Sequence, residues 1–131
     1  MSGCGGKSPI KLEEIRVKSI LINCRAFATD HDGNYPESLA DLHPKYIDLV
    51  SNFYSPPFAK HDNTPRPFHF RRGLKVDAKV DEPLVISPHT VKGKVNVGYR
   101  GGFIRRLELA EAQRILTQPG WSQEAPPLAA N

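Results

Sequence analysis

Cysteine is scarce in this chain: the two thiols, Cys4 and Cys24, are too few for a multi-bridge disulfide framework or a four-cysteine zinc site. If a helix runs from Pro9 through Cys24, its rise of about 1.5 Å per residue separates the two ends by more than about 20 Å. A Cys4–Cys24 bridge would then require the glycine-rich start to fold back, and none is expected. Long apolar runs are missing as well. No ten consecutive residues are apolar, so the chain as written is expected to be soluble, with neither a spanning helix nor a signal-peptide core. Charge of one sign is not concentrated either. The 18 Lys and Arg against 14 Asp and Glu leave a net charge of +4, spread along the chain without the basic block of a nucleic-acid arm. What is abundant is punctuation. With 12 Pro and 10 Gly in 131 residues, much of the chain must be turn and loop, which argues against a doubly wound nucleotide-binding fold. An apolar content of 39% supports one core in one domain.

Along the chain, Met1 to Lys7 carries three glycines and no periodicity, and residues 1–8 read as a flexible leader. Ser8-Pro9 is a helix start, with Ser8 as N-cap and Pro9 in the first turn. Ile15, Val17, Ile20, Leu21, Cys24, Phe27 and Ala28 then build a broad apolar stripe opposite Lys11, Glu13, Glu14, Arg16 and Lys18. Asp30-His31-Asp32-Gly33-Asn34 ends this helix, with Gly33 as the left-handed residue past its C-terminus. A short second helix over Tyr35 to Leu42 is begun by Pro36 and stopped near Pro44. Ser51 to Pro67 reads as a proline-rich loop anchored by Phe53, Tyr54 and Phe58. Strand signals occupy Phe68 to Arg71, Pro83 to Ser87 and Lys94 to Tyr99. Arg100-Gly101-Gly102 turns the last of these into Phe103 to Leu107, a hairpin followed by a helix over Glu108 to Leu116. Residues 117–131, rich in Pro, Ala and Gln, read as a mostly disordered tail. The predicted fold is α+β, an amphipathic N-terminal helix packed on a small antiparallel sheet within a 9–116 domain.

Chemistry-bearing patterns are few. Asp30, Asp32 and Gly33 suggest a calcium loop, but with Gly33 at position six the first position falls on Ala28 and the twelfth on Leu39, where an EF-type loop needs a carboxylate. The five histidines never share a zinc spacing. There is no GxSxG motif, and Cys24 lies on the apolar stripe as a buried, inert thiol would. No enzyme, metal or cofactor is expected. Arg71, Arg72, Arg100, Arg105 and Arg106 could form a basic band along the sheet, with Tyr99 and Phe103 beside it. That band would bind nucleic acid or an anionic surface with salt-dependent affinity; a solvated sheet edge is the plainer reading, and nucleic acid is the less favoured partner.

Three segments taken in order resemble one family. Ile22-Asn-Cys-Arg-Ala-Phe-Ala-Thr-Asp-His-Asp-Gly-Asn-Tyr-Pro36, Ser38-Leu-Ala-Asp-Leu-His-Pro-Lys-Tyr-Ile47, and Val95-Asn-Val-Gly-Tyr-Arg-Gly-Gly-Phe-Ile104 with the helix closing at Leu116 are similar to the pseudopilin-like proteins of bacterial type II secretion. In those proteins a long helix exits through DxDGxYP, an SLxDLxPxYI-like segment follows, and a glycine-turned hairpin closes the domain. The resemblance covers residues 12 to 116. It implies a pilin-like fold framed by the turn residues Asp30, Asp32, Gly33, Tyr35 and Pro36 and by Gly101 and Gly102. It also implies a non-catalytic structural or adaptor role among other protein subunits of an envelope assembly. The family's basic leader and apolar anchor are not among these residues, and Arg100 stands before Gly101-Gly102 where the family usually has an acid, so no role tied to either carries over. Met1-Ser-Gly-Cys4 looks like the end of a lipobox, making Cys4 the candidate lipidation site. The expected location is the periplasmic face of the envelope, held through a lipid or an upstream anchor, or the cytoplasm if no upstream signal exists.

Overall fold

A proline at its start and a glycine past its end delimit helix α1, Pro9–Asp30. The chain leaves it through two left-handed residues, Asp32 at φ 59° and Gly33 at φ 84°; the Gly33 N–H donates back to the Ala28 carbonyl at 2.8 Å, closing the helix end as expected. The computed structural model describes residues 9–56 and 64–128. The expectations placed on Cys4, Ser8, Phe58 and residues 129–131 lie outside these.

The second helix forms only as a 3₁₀ turn, Leu39–Leu42, and another such turn covers Val50–Phe53. Pro44 follows too closely for a stable α-helical nucleus, and the tighter turn suffices to bury Leu39 and Leu42. Two short strands, β1 (Tyr54–Ser55) and β2 (Arg66–Pro67), pair antiparallel across the proline-rich segment. The main sheet comprises β3 (His69–Arg71), β4 (Pro83–Ile86), β5 (Lys94–Tyr99) and β6 (Ile104–Glu108). After β6 comes helix α2 (Leu109–Leu116), then strand β7 (Trp121–Ser122). All neighbours are antiparallel, in the order β6-β5-β4-β3-β7. The fold is thus a small α+β domain.

β7 corrects the reading of 117–131 as a disordered tail. Trp121 pairs with Arg71 and Ser122 with Phe70, on the free edge of β3. Farther on, Pro126 accepts a hydrogen bond from the Tyr54 hydroxyl at 2.9 Å. A lone aromatic at the sheet edge and backbone pairing order a segment whose composition alone argues for disorder.

Both faces of the sheet are covered, which makes three layers. Val95, Val97 and Tyr99 point toward α2, whose Ala112, Ile115 and Leu116 meet them. The residues between them, Asn96 and Gly98, point toward α1. On that side Val17, Ile20, Leu21, Cys24 and Ala28 pack with Phe53, Phe68, Phe70, Leu84 and Val85 in the larger core. Ile15 corrects the expected stripe. It is 42% exposed, and the buried row begins instead at Glu13, which is 1% exposed.

His69 sits between the buried Phe68 and Phe70 and opposite Ile86. Burial lowers its pKa from the ordinary 6.5, so between the two values the unfolded chain binds the proton more tightly. The resulting stability is fully present above pH 6.5 and is lost as pH falls through the lower folded value. His69→Gln is expected to reduce the drop in urea midpoint between pH 7.5 and pH 5; an unchanged drop would assign the acid sensitivity to other groups.

Candidate functional site

The buried row of α1 starts with a charge, and three elements are built around it. Glu13 accepts hydrogen bonds from the hydroxyls of Ser55 in β1 and Ser87 just past β4, and from the Asn96 amide in β5 at 2.7 Å. His89 Nδ1 lies 2.9 Å from the Ser55 hydroxyl, and Ser87 further bonds the His89 backbone, receiving its N–H at 3.1 Å. A carboxylate taken from water is tolerated only when its lone pairs are filled this way. One turn along, Arg16 donates to the Tyr54 carbonyl at 2.8 Å. Burial lowers the Arg16 pKa, an effect partly offset by attraction to Glu13.

A serine beside a histidine has the parts of a nucleophile and its base. Here Ser55 is fully buried, and its proton is directed at Glu13. The neighbouring cleft, lined by Glu13, His89, Lys94, Asn96 and Arg106, has about 10 Å³ of free space, room for no more than one water molecule. The cluster therefore acts as a polar clamp joining α1 to β1, β4 and β5, and the accessible features lie on the other side of the helix.

That outer side is a regular row. Lys11, Ile15, Lys18, Ile22, Arg25 and Thr29 are exposed at alternating spacings of four and three residues, with Ile15 and Ile22 at 42% and 59% exposure. Two shallow grooves run beside it. One is bounded by Ile15, Ser19, Ile22 and Asn23, the other by Lys11, Glu14, Ile15, Phe103 and Ile104. Lys18 borders both and donates to the Gly102 carbonyl at 2.5 Å, so the hairpin turn is tied to the middle of the row.

The turn residues singled out in the sequence lie at the exit of α1 and in the hairpin between β5 and β6. Asp30 accepts from the Tyr46 hydroxyl at 2.5 Å and lies 3.8 Å from Lys45; its hydrogen bond raises the Tyr46 pKa. Asp32 is exposed. Tyr35 and Pro36 are buried, and the Tyr35 N–H bonds the Leu74 carbonyl at 3.1 Å. Gly101 donates to the Val80 carbonyl at 2.9 Å and has no space for a side chain, since a Cβ would lie 2.9 Å from Val80. Gly102 takes φ 95°, a left-handed conformation that favours glycine. Among the described residues no cluster of three or more His, Cys, Asp or Glu is placed to hold a metal. No helix among them is long and apolar enough to cross a membrane, and burial raises the Cys24 thiol pKa well above its ordinary value.

The basic band does not form as one surface. Arg71 and Arg72 adjoin β3, three strands from β6, a separation of about 14 Å at the usual strand spacing. Arg71 pairs with Glu82 at 2.7 Å. Arg105 and Arg106 are sequence neighbours on β6 and so point to opposite faces. Arg106 reaches Glu14 on α1 at 3.3 Å, whereas Arg105 lies over the rings of Phe103 at 4.9 Å and Tyr99 at 5.4 Å. The Arg100 side chain donates to the Lys79 carbonyl at 3.4 Å.

Sequence reasoning missed the Glu13 clamp, although two signals were there. Glu13 continues the buried row of Val17, Ile20, Leu21, Cys24 and Ala28 at helical spacing, and Asn96 alternates with Val95 and Val97 in a strand buried on both faces. Comparison of the chain with protein-family models, with curated proteins and with solved structures finds no match.

Proposed function

We propose that this chain is a non-catalytic, pseudopilin-like structural or adaptor domain of the bacterial cell envelope that works through contacts with other protein subunits. The observation that carries the reading is the outer row of α1. Two large aliphatic side chains, Ile15 and Ile22, stand in water on the rigid face of a 22-residue helix, beside grooves that Phe103 and Ile104 extend. Apolar side chains lined up on a fixed element are the usual form of a protein-contact surface. The similarity of the DHDGNYP exit, the SLADLHPKYI segment and the glycine-turned hairpin to pseudopilin-like proteins supplies the envelope setting. In native cells the protein is expected to fractionate with the envelope and, after mild detergent extraction, to sediment faster than a monomer. A monomer recovered wholly in the soluble fraction would overturn the proposal.

A further inference from the structure

The outer row of α1 carries more than apolar contact. Ile15 and Ile22 are seven residues apart, and Lys11, Lys18 and Arg25 form a second seven-residue series between them. The interleaved series share the alternating four and three spacing of a helix-contact row, with a cation at every second position where a wholly apolar seam has none. Between Ile15 and Thr29 the helix contains no acidic residue, so the row is apolar and uniformly basic over its central turns. The nearest carboxylates are at its edges: Glu14, held by Lys11 at 3.9 Å and Arg106 at 3.3 Å, and Asp30, bonded to Tyr46.

Resting on the adaptor reading above, we infer that this row docks an amphipathic helix of a partner protein whose contact face alternates aliphatic with acidic residues. Glutamates or aspartates spaced to meet Lys18 and Arg25 would set register and orientation, as charged positions do between paired helices, while the aliphatic residues cover Ile15 and Ile22. A second copy of the chain does not fit. Its row would bring Lys18 and Arg25 against the same cations, with no acid between Ile15 and Thr29 to separate them. Nucleic acid or a lipid surface would satisfy the cations, but neither accounts for isoleucines repeated in phase with them.

The test uses the full chain and a synthetic helical peptide three heptads long, with Leu and Glu alternating along its contact row, plus a twin carrying Lys for Glu. By fluorescence anisotropy the acidic peptide is expected to bind at least tenfold more tightly than its twin. Ile22→Ser should weaken that binding at least fivefold, and Lys18→Glu should reverse the preference between the peptides. Both positions are exposed; because Lys18→Glu also gives up the bond to the Gly102 carbonyl, a cooperative urea transition shows that each variant folds. Equal affinity for the two peptides, binding unaffected by Lys18→Glu, or no binding of either overturns the inference. So does self-association of the chain through this face, or binding of a DNA duplex or an anionic phosphatidylglycerol vesicle as tight as that of the acidic peptide. A chain that sediments in an envelope complex yet ignores both peptides loses this occupant and keeps the adaptor role. Loss of the envelope complex alone removes the adaptor role and leaves the helix-binding face.

Discussion

Glu13→Ala is expected to destabilise the domain by about 3–5 kcal/mol, the range for removing one member of a buried, hydrogen-bonded charge network. The loss is not shared equally among the donors. Ser87 can turn to the His89 carbonyl, already 3.0 Å away, and Ser55 keeps His89 Nδ1 at 2.9 Å. The Asn96 amide has no such substitute: its bond at 2.7 Å is to Glu13, and Asn96 is 5% exposed. An orphaned amide donor and the cavity left by the missing methylene and carboxylate then act together. Glu13→Gln separates shape from charge. Its carbonyl can still accept from Asn96 while its amide donates to the two serine hydroxyls, so the loss should fall to about 1–2 kcal/mol. Urea unfolding followed by far-UV circular dichroism measures both. A Glu13→Ala protein within about 1 kcal/mol of the parent would mean that the clamp contributes little.

Gly98→Val is expected to cost about 3 kcal/mol, at the upper end of ordinary overpacking. A Cβ at Gly98 would lie 2.8 Å from Val17 Cγ1 and 3.1 Å from both Leu21 methyls, so this glycine sets how closely α1 approaches β5. The Gly98→Ala variant gives a test by sign. In an unobstructed strand, replacing glycine by alanine stabilises by about 0.5–1 kcal/mol; here it should destabilise. Val17→Ala should relieve part of that strain, giving a favourable coupling of about 1 kcal/mol in a double-mutant cycle. Additive single effects would place the Gly98 contact elsewhere than on Val17.

These two positions also mark where the sequence could be read and where it could not. Turns dictated by local chemistry were legible: Gly33 ends α1, and Gly101-Gly102 joins β5 to β6, because each answers to its immediate neighbours. The alternation of Lys94 to Tyr99 was legible as a strand, but as one with a single buried face. That both faces are covered depends on α2 folding over one side and α1 over the other. Asn96 and Gly98, on the face opposite Val95, Val97 and Tyr99, are the points where α1 is clamped and seated. The apolar residues of α1 were counted together, Ile15 among them. Only the placement of the sheet divides them into an inner row that begins with a glutamate and an outer row that leaves Ile15 and Ile22 in water. The proposed arginine band failed for a reason already present in the sequence, since adjacent residues of a strand face opposite ways.

Position-specific photocrosslinking in native cells tests the central claim, that the outer row of α1 is a protein-contact surface. A photoreactive residue replaces Ile22 in one strain and Leu49 in another; both are exposed, at 59% and 61%, but Leu49 stands just before the Val50–Phe53 turn and is not part of the outer row. The account predicts a crosslink from position 22 to one defined envelope protein, lost when Lys18 is changed to Glu, and none to that protein from position 49. Crosslinks to that protein from position 49 as readily as from position 22, or none from either, would contradict it.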